Sequence, residues 1–199
     1  LTALAAPRVM PVAAADHPLR QLEVGPEIVC TVGGPPGSAK TALVMQATFD
    51  AVALNPDLRA VVCNVEMSSH VLLDRQLARL SGIPLRTVRY RQFKDEHADR
   101  LADGMNKVRA LTERIAFVRA PFDLANVAQT ADAVGAELIV LDYVQRIGPP
   151  REFADKRLSV NAACASRCQW MVVVNSAMGS RVLPDGGGPM GTGCIGPTA

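Results

Sequence analysis

The chain has 199 residues, 49% apolar and 20% charged, with 21 Lys and Arg against 19 Asp and Glu for a net charge of +2. That balance is globular and long enough for one domain with a sizeable core, which excludes general disorder. A strongly basic protein that coats nucleic acid is also excluded, although a local basic patch is not, and 4% aromatics is too few for a stacking platform for single strands.

Residues 1–15 are Ala- and Pro-rich, and Pro7, Arg8 and Pro11 break their apolar run. Nothing in the chain approaches the ~18 apolar residues that span a membrane. We read 1–18 as a linker, 19–199 as one domain, and the whole as part of a longer protein. Five scattered cysteines (Cys30, Cys63, Cys164, Cys168 and Cys194) fit a reducing cytoplasm better than a disulfide framework. Cys164 and Cys168 stand four apart with no His nearby, so a metal site there is disfavoured.

Strands and helices then alternate. Residues 28–32 form a β-rich run that ends in Gly33-Gly34-Pro35-Pro36-Gly37. A helix is predicted from 40 to about 54, closed by Asn55-Pro56-Asp57, and 60–65 is the second strand. Ser68 or Ser69 can cap a helix with the stripe Leu73, Leu77 and Leu80, ended by Gly82 and Pro84. Residues 85–94 are basic and read as partly loop, and 95–112 as a helix with Leu101, Met105 and Val108 on one face. The third strand is 115–118. Asp123 can cap a helix bearing Leu124, Val127, Ala131 and Val134, and 138–141 is a fully apolar fourth strand. Residues 151–169 read as helix or loop and helix, 171–174 as the fifth strand, and 181–199 as Gly- and Pro-rich loop. Short apolar strands separated by helices predict an α/β fold, a parallel sheet of about five strands with helices on both faces.

Gly34-Pro35-Pro36-Gly37-Ser38-Ala39-Lys40-Thr41 follows a strand and opens a helix, the context a phosphate-binding loop requires. Backbone N–H groups of such a turn point at a β-phosphate. Lys40 is placed to reach the β- and γ-phosphates, and the Thr41 hydroxyl to ligate Mg²⁺. Ala39 stands where the pattern has Gly, and its methyl group would crowd the approach to phosphate. Such a loop needs a second Mg²⁺ anchor on a neighbouring strand tip, and Asp142 follows four apolar residues there. Glu66, just past the second strand, has two readings on spacing alone. It polarises an attacking water, or it is a first-turn Glu favoured by the following helix dipole.

Together these motifs resemble the C-terminal ATPase domain of DnaB-type replicative helicases, within the RecA-like superfamily. The family's Gly-Ala-Pro-Pro-Gly-Ser-Gly-Lys-Thr loop corresponds to 33–41, and its Ser-Leu-Glu-Met-Ser motif to Asn64-Val65-Glu66-Met67-Ser68. Arg75-Gln76-Leu77-Ala78 and Ser81-Gly82-Ile83 match the segments that follow, and Asp142-Tyr143-Val144-Gln145 matches its Walker B motif, Asp-Tyr-Leu-Gln. The likeness runs from about 19 to 176, and the RecA-like strand order it implies puts 171–174 between 28–32 and 138–141. It implies a RecA-like P-loop NTPase with ATP and Mg²⁺, Glu66 as the catalytic glutamate, and a homo-oligomeric, hexameric ring around single-stranded DNA. It also implies a cytoplasmic location, no membrane partner, and contacts to primase or a helicase loader through regions outside this sequence. The family's channel-facing loops correspond to about 148–157 and 179–188, where Arg151, Lys156, Arg157 and Arg181 are the available contacts to DNA phosphates.

The chain departs from the family in places. Ala177 stands where the family has a Gln that senses the γ-phosphate, and the expected arginine finger and N-terminal domain are not found in these residues. On that reading the chain alone would be a weak ATPase and a poor ring-former. The alternatives are a RecA-like ATPase of recombination or clock type, and a degenerate nucleotide-binding subunit without helicase activity. A small-molecule kinase is disfavoured, because no Arg-rich lid follows the third helix.

Overall fold

The computed structural model describes residues 13, 16–22, 24 and 28–148, and the backbone of 170–176. Five parallel strands make one sheet: β1 (Ile28–Gly34), β2 (Ala60–Asn64), β3 (Ile115–Phe117), β4 (Leu138–Asp142) and β5 (Trp170–Ser176). Their order is β1-β5-β4-β2-β3. The fifth strand therefore lies between the first and fourth, as the RecA-like resemblance implies.

The alternation of side chains along β2 and β4 explains why both are apolar throughout. Ala60, Val62, Leu138 and Val140 face one core, with Val44, Met45, Phe49 and Val52 of α1 (Lys40–Leu54). Val61, Cys63, Ile139 and Leu141 face the other, with Leu124, Val127 and Ala131 of α5 (Leu124–Val134). A strand covered on both faces has no polar side to present, so its only polar residues, Asn64 and Asp142, stand at its carboxyl end. Fully burying one of these larger apolar side chains contributes about 1.5–3 kcal/mol.

The remaining helices are α2 (Ser69–Ser81), α3 (Leu85–Arg89) and α4 (Ala98–Thr112). Gly82 and Gly135 close α2 and α5 in the left-handed conformation, at φ 66° and 63°. Asp123 caps α5 by accepting a bond from the Asn126 N–H at 2.8 Å. Three local expectations are refined. Ser68 holds the N-cap position of α2, but its side chain makes no capping bond. The basic segment after Pro84 folds into the single-turn-and-a-half α3 rather than loop, with Val88 buried beneath it. The helix expected over 95–112 opens as a 3-10 turn, Asp95–His97, because the Lys94 N–H bonds back to His97 Nδ1 at 3.1 Å. Ahead of β1, a 3-10 turn over Pro18–Gln21 is capped by His17 Nδ1, which accepts from the Leu19 N–H at 3.1 Å. Among the described residues no helix is long and apolar enough to cross a membrane.

Arg114, just before β3, fixes the far end of α1. Its Nη1 donates to the carbonyls of Val52, Asn55 and Pro56 at 2.7, 2.9 and 2.9 Å. A cation at the negative end of a helix satisfies orphan carbonyls and the dipole together. Arg114→Ala is expected to lower unfolding free energy by roughly 1–3 kcal/mol, read as a lower denaturant midpoint with unchanged slope. An unchanged midpoint would remove Arg114 from this role.

Candidate functional site

The parallel register brings the carboxyl ends of four strands to one edge. Gly34 pairs with Ser176, and Asp142 pairs with Asn64 on one side and Val174 on the other. Ligands in open α/β sheets bind at this edge.

From β1 the chain turns through 35–39 into α1. The turn is tight: a Cβ on Gly34 would lie 2.9 Å from Ser38 Oγ. It needs positive φ twice, at Gly37 (81°) and at Ala39 (61°). The family's Gly at the second position is thus explained by backbone geometry, and Ala39 occupies a conformation that costs an L-residue about 1–2 kcal/mol. Ala39→Gly relieves that cost but gains unfolded-state entropy worth about 0.4–1 kcal/mol. The expected net result is a stabilisation of up to about 1.6 kcal/mol, measured by denaturant unfolding. A loss of stability would contradict the left-handed assignment.

The Lys40 side chain folds back under the turn and is 8% exposed. Its Nζ donates to the carbonyls of Gly34 at 2.9 Å and Pro35 at 2.8 Å, with Ser38 Oγ at 3.4 Å. No side chain caps the N-terminus of α1, and its first turn carries no acid. Its opening N–H groups and a lysine therefore stand together at one turn, the arrangement that suits a phosphate.

Opposite stands Asp142, 2% exposed. Burial raises its pKa; the hydrogen bond from the Thr41 side chain lowers it, the charge of Glu66 raises it, and that of Lys40 lowers it. A desolvated carboxylate facing a second carboxylate is under-compensated, an environment that favours a divalent cation. The donor set fits Mg²⁺ in particular, because Mg²⁺ is held by one or two carboxylates together with substrate phosphates and water rather than by an all-protein cage. Among the described residues no cluster of three His, Cys, Asp or Glu forms such a cage. The neighbouring thiol of Cys63 feels the same surroundings: burial, then the charges of Asp123 and Asp142, push its pKa up to about 11.

Glu66 is exposed and lies in a bend beyond β2. Helix α2 starts only at Ser69 and has no acid in its first turn, so Glu66 is not a first-turn helix residue. Lys40, Thr41, Asp142 and Glu66 thus share one edge of the sheet. Arg151, Lys156, Arg157, Arg181 and Ala177 lie outside the described residues.

Asn64 is the residue whose role the sequence reading missed. It is 7% exposed, and it links Asp142 to the segment carrying Glu66. The available signal was a single polar residue ending an otherwise apolar strand, two positions before an acid.

A five-stranded parallel sheet with a glycine-rich loop leading into α1, and an acid at the tip of β4, defines a RecA-like α/β fold of the P-loop type. The family model of the DnaB-like helicase C-terminal domain matches residues 24–168, and the chain belongs to that family. Two solved structures share the fold. One is of a DnaB-like replicative helicase described with its interactions with primase, at a TM-score of 0.60 and 13% identity over 74% of this chain. The other is of an ATPase domain, at a TM-score of 0.61 and 14% identity over 75% of this chain. The chain spans 38% and 57% of the lengths of those two structures. No curated protein matches the chain significantly.

Proposed function

We propose that this chain carries the ATPase motor of a replicative DNA helicase, coupling ATP hydrolysis to translocation on single-stranded DNA. The observation that carries the proposal is the buried carboxylate of Asp142 at the sheet edge beside the Lys40 turn, within reach of Thr41, Lys40 and Glu66.

In this reading the N–H groups over 34–41 cradle the phosphates of ATP. Lys40 exchanges the carbonyls of Gly34 and Pro35 for β- and γ-phosphate oxygens. Thr41 and Asp142 would hold Mg²⁺, which when bound would supply charge to offset that of the phosphates. Glu66 accepts a hydrogen bond from the attacking water and orients it toward the γ-phosphorus, acting as general base. Its exposed position suits that task, since both water and a partner subunit can reach it. DNA contact falls to Arg151, Lys156, Arg157 and Arg181, whose phosphate contacts would make binding salt-dependent. The family points to a hexameric ring as the working assembly, with primase or a loader as partner of the whole protein.

The test is phosphate release from ATP with and without single-stranded DNA, followed by strand displacement on forked DNA, by the full-length protein beside this chain. Hydrolysis that depends on Mg²⁺ and rises with DNA, together with strand displacement, supports the helicase reading. DNA-independent hydrolysis without strand displacement assigns the chain to another branch of RecA-like ATPases, and binding without turnover makes it a nucleotide-binding subunit.

A further inference from the structure

Asn64 ends β2 directly opposite Asp142 on β4. Its carboxamide is used at both ends. The Nδ2 donates to Asp142 Oδ2, and the Oδ1 accepts from the N–H of Glu66 at 3.0 Å and of Met67 at 2.7 Å. The orientation of the amide is fixed by its partners, because an ionised carboxylate only accepts and a backbone N–H only donates. The Val65 N–H, donating to the Asp142 carbonyl at 2.9 Å, adds a backbone tie at the same place.

We infer that Asn64 is a positioning residue that locks the segment presenting Glu66 to the carboxylate of Asp142, so that the two acids hold one fixed relation. The inference rests on the reading of this edge as an ATP site.

The chemistry suits this residue type. Asp142 takes a donor and the two amides take an acceptor, from one short side chain at one β position. The serine that the resembling motif has here offers one oxygen on a shorter stem for both tasks, whereas the carboxamide puts donor and acceptor on separate atoms. Aspartate would keep the acceptor but set a third carboxylate against Asp142. Leucine would match the shape and satisfy none of the three groups. The bend over 65–67 is seated on either side of Glu66, because Val65 and Met67 pack against the two cores and the Val65 N–H bonds the Asp142 carbonyl. Glu66 itself is exposed, and α2 gains no side-chain cap from Ser68. Within that frame the two bonds to Asn64 Oδ1 set the direction of the Glu66 backbone, in the manner of an Asx turn.

The experiment compares wild type, Asn64→Ala and Asn64→Asp by amide hydrogen exchange, by equilibrium binding of a fluorescent ATP analogue, and by steady-state hydrolysis. For Asn64→Ala the proposal expects exchange at Glu66 and Met67 faster by at least about tenfold. It expects kcat down by about 10–100-fold, as for loss of an outer-layer partner at a metal site, with KM and analogue affinity within about twofold of wild type. For Asn64→Asp it expects near-native protection of the two amides, because the acceptor survives, with kcat still reduced, because the donor to Asp142 is gone. That second variant answers the question if the alanine variant melts too low to assay. Unchanged exchange at Glu66 and Met67 in Asn64→Ala overturns the proposal, and so does wild-type kcat in both variants. A wild-type chain that binds no ATP analogue overturns the ATP reading instead, and the exchange measurement still decides whether Asn64 holds the Glu66 segment.

Discussion

Lys40→Ala is expected to weaken ATP binding by at least about 100-fold, the effect of removing a charge-assisted contact worth roughly 3 kcal/mol. Lys40 is the cation built into the turn, and three groups of that turn surround its Nζ. The ammonium is thus held close to where phosphates would sit, and binding requires only that it trade neutral carbonyls for charged oxygens. The substitution also removes two bonds that close the turn, so the N–H cradle loosens with the loss of charge. Lys40→Arg does not rescue, because a planar guanidinium does not replace a compact ammonium under a turn this tight. Titration with a fluorescent ATP analogue checks the result, and native affinity in Lys40→Ala would refute the site.

The second large effect is on turnover alone. Glu66→Gln is expected to slow hydrolysis by about 10²–10⁴, with ATP affinity within about twofold of wild type. Glutamine keeps the size and much of the hydrogen bonding of glutamate but cannot accept the proton of the attacking water. Because Glu66 is exposed and outside the first turn of α2, the swap does not lower folding stability. It also removes a like charge acting on Asp142, so the pKa of that buried carboxylate moves down toward its ordinary range. Phosphate release measured beside binding separates the two steps. Wild-type turnover in Glu66→Gln would leave Glu66 without a catalytic role.

The strands were legible because burial on both faces leaves a strong mark: 60–65 and 138–141 are almost wholly apolar, and no amphipathic reading competes with them. The phosphate turn was legible because its glycines answer a geometric need, positive φ at Gly37 and close approach at Gly34. Its departure was legible as a departure, but only the backbone shows that Ala39 occupies a left-handed position. The position of β5 between β1 and β4 came from family resemblance, since no local pattern encodes strand order. Two kinds of feature escaped. The short helix α3 sits in a segment where Arg86, Arg89 and Arg91 blur any apolar stripe, and its formation depends on seating Val88 in the core. Asn64 and Arg114 act through bonds to groups 78 and up to 62 positions away in the chain, and no spacing rule reaches that far. The two readings of Glu66 were inseparable in sequence because the first-turn reading depends on where α2 begins; its start at Ser69 removes that reading, and turnover of Glu66→Gln tests the other.

The central claim is that this sheet edge is a Mg²⁺-dependent nucleotide site, and calorimetric titration of the full chain with ATP tests it most directly. The account predicts one ATP per chain in the presence of Mg²⁺, with affinity falling by at least about tenfold in EDTA as Thr41 and Asp142 lose the ion they would share with the phosphates. Absence of binding, or binding of equal strength with and without Mg²⁺, would contradict it.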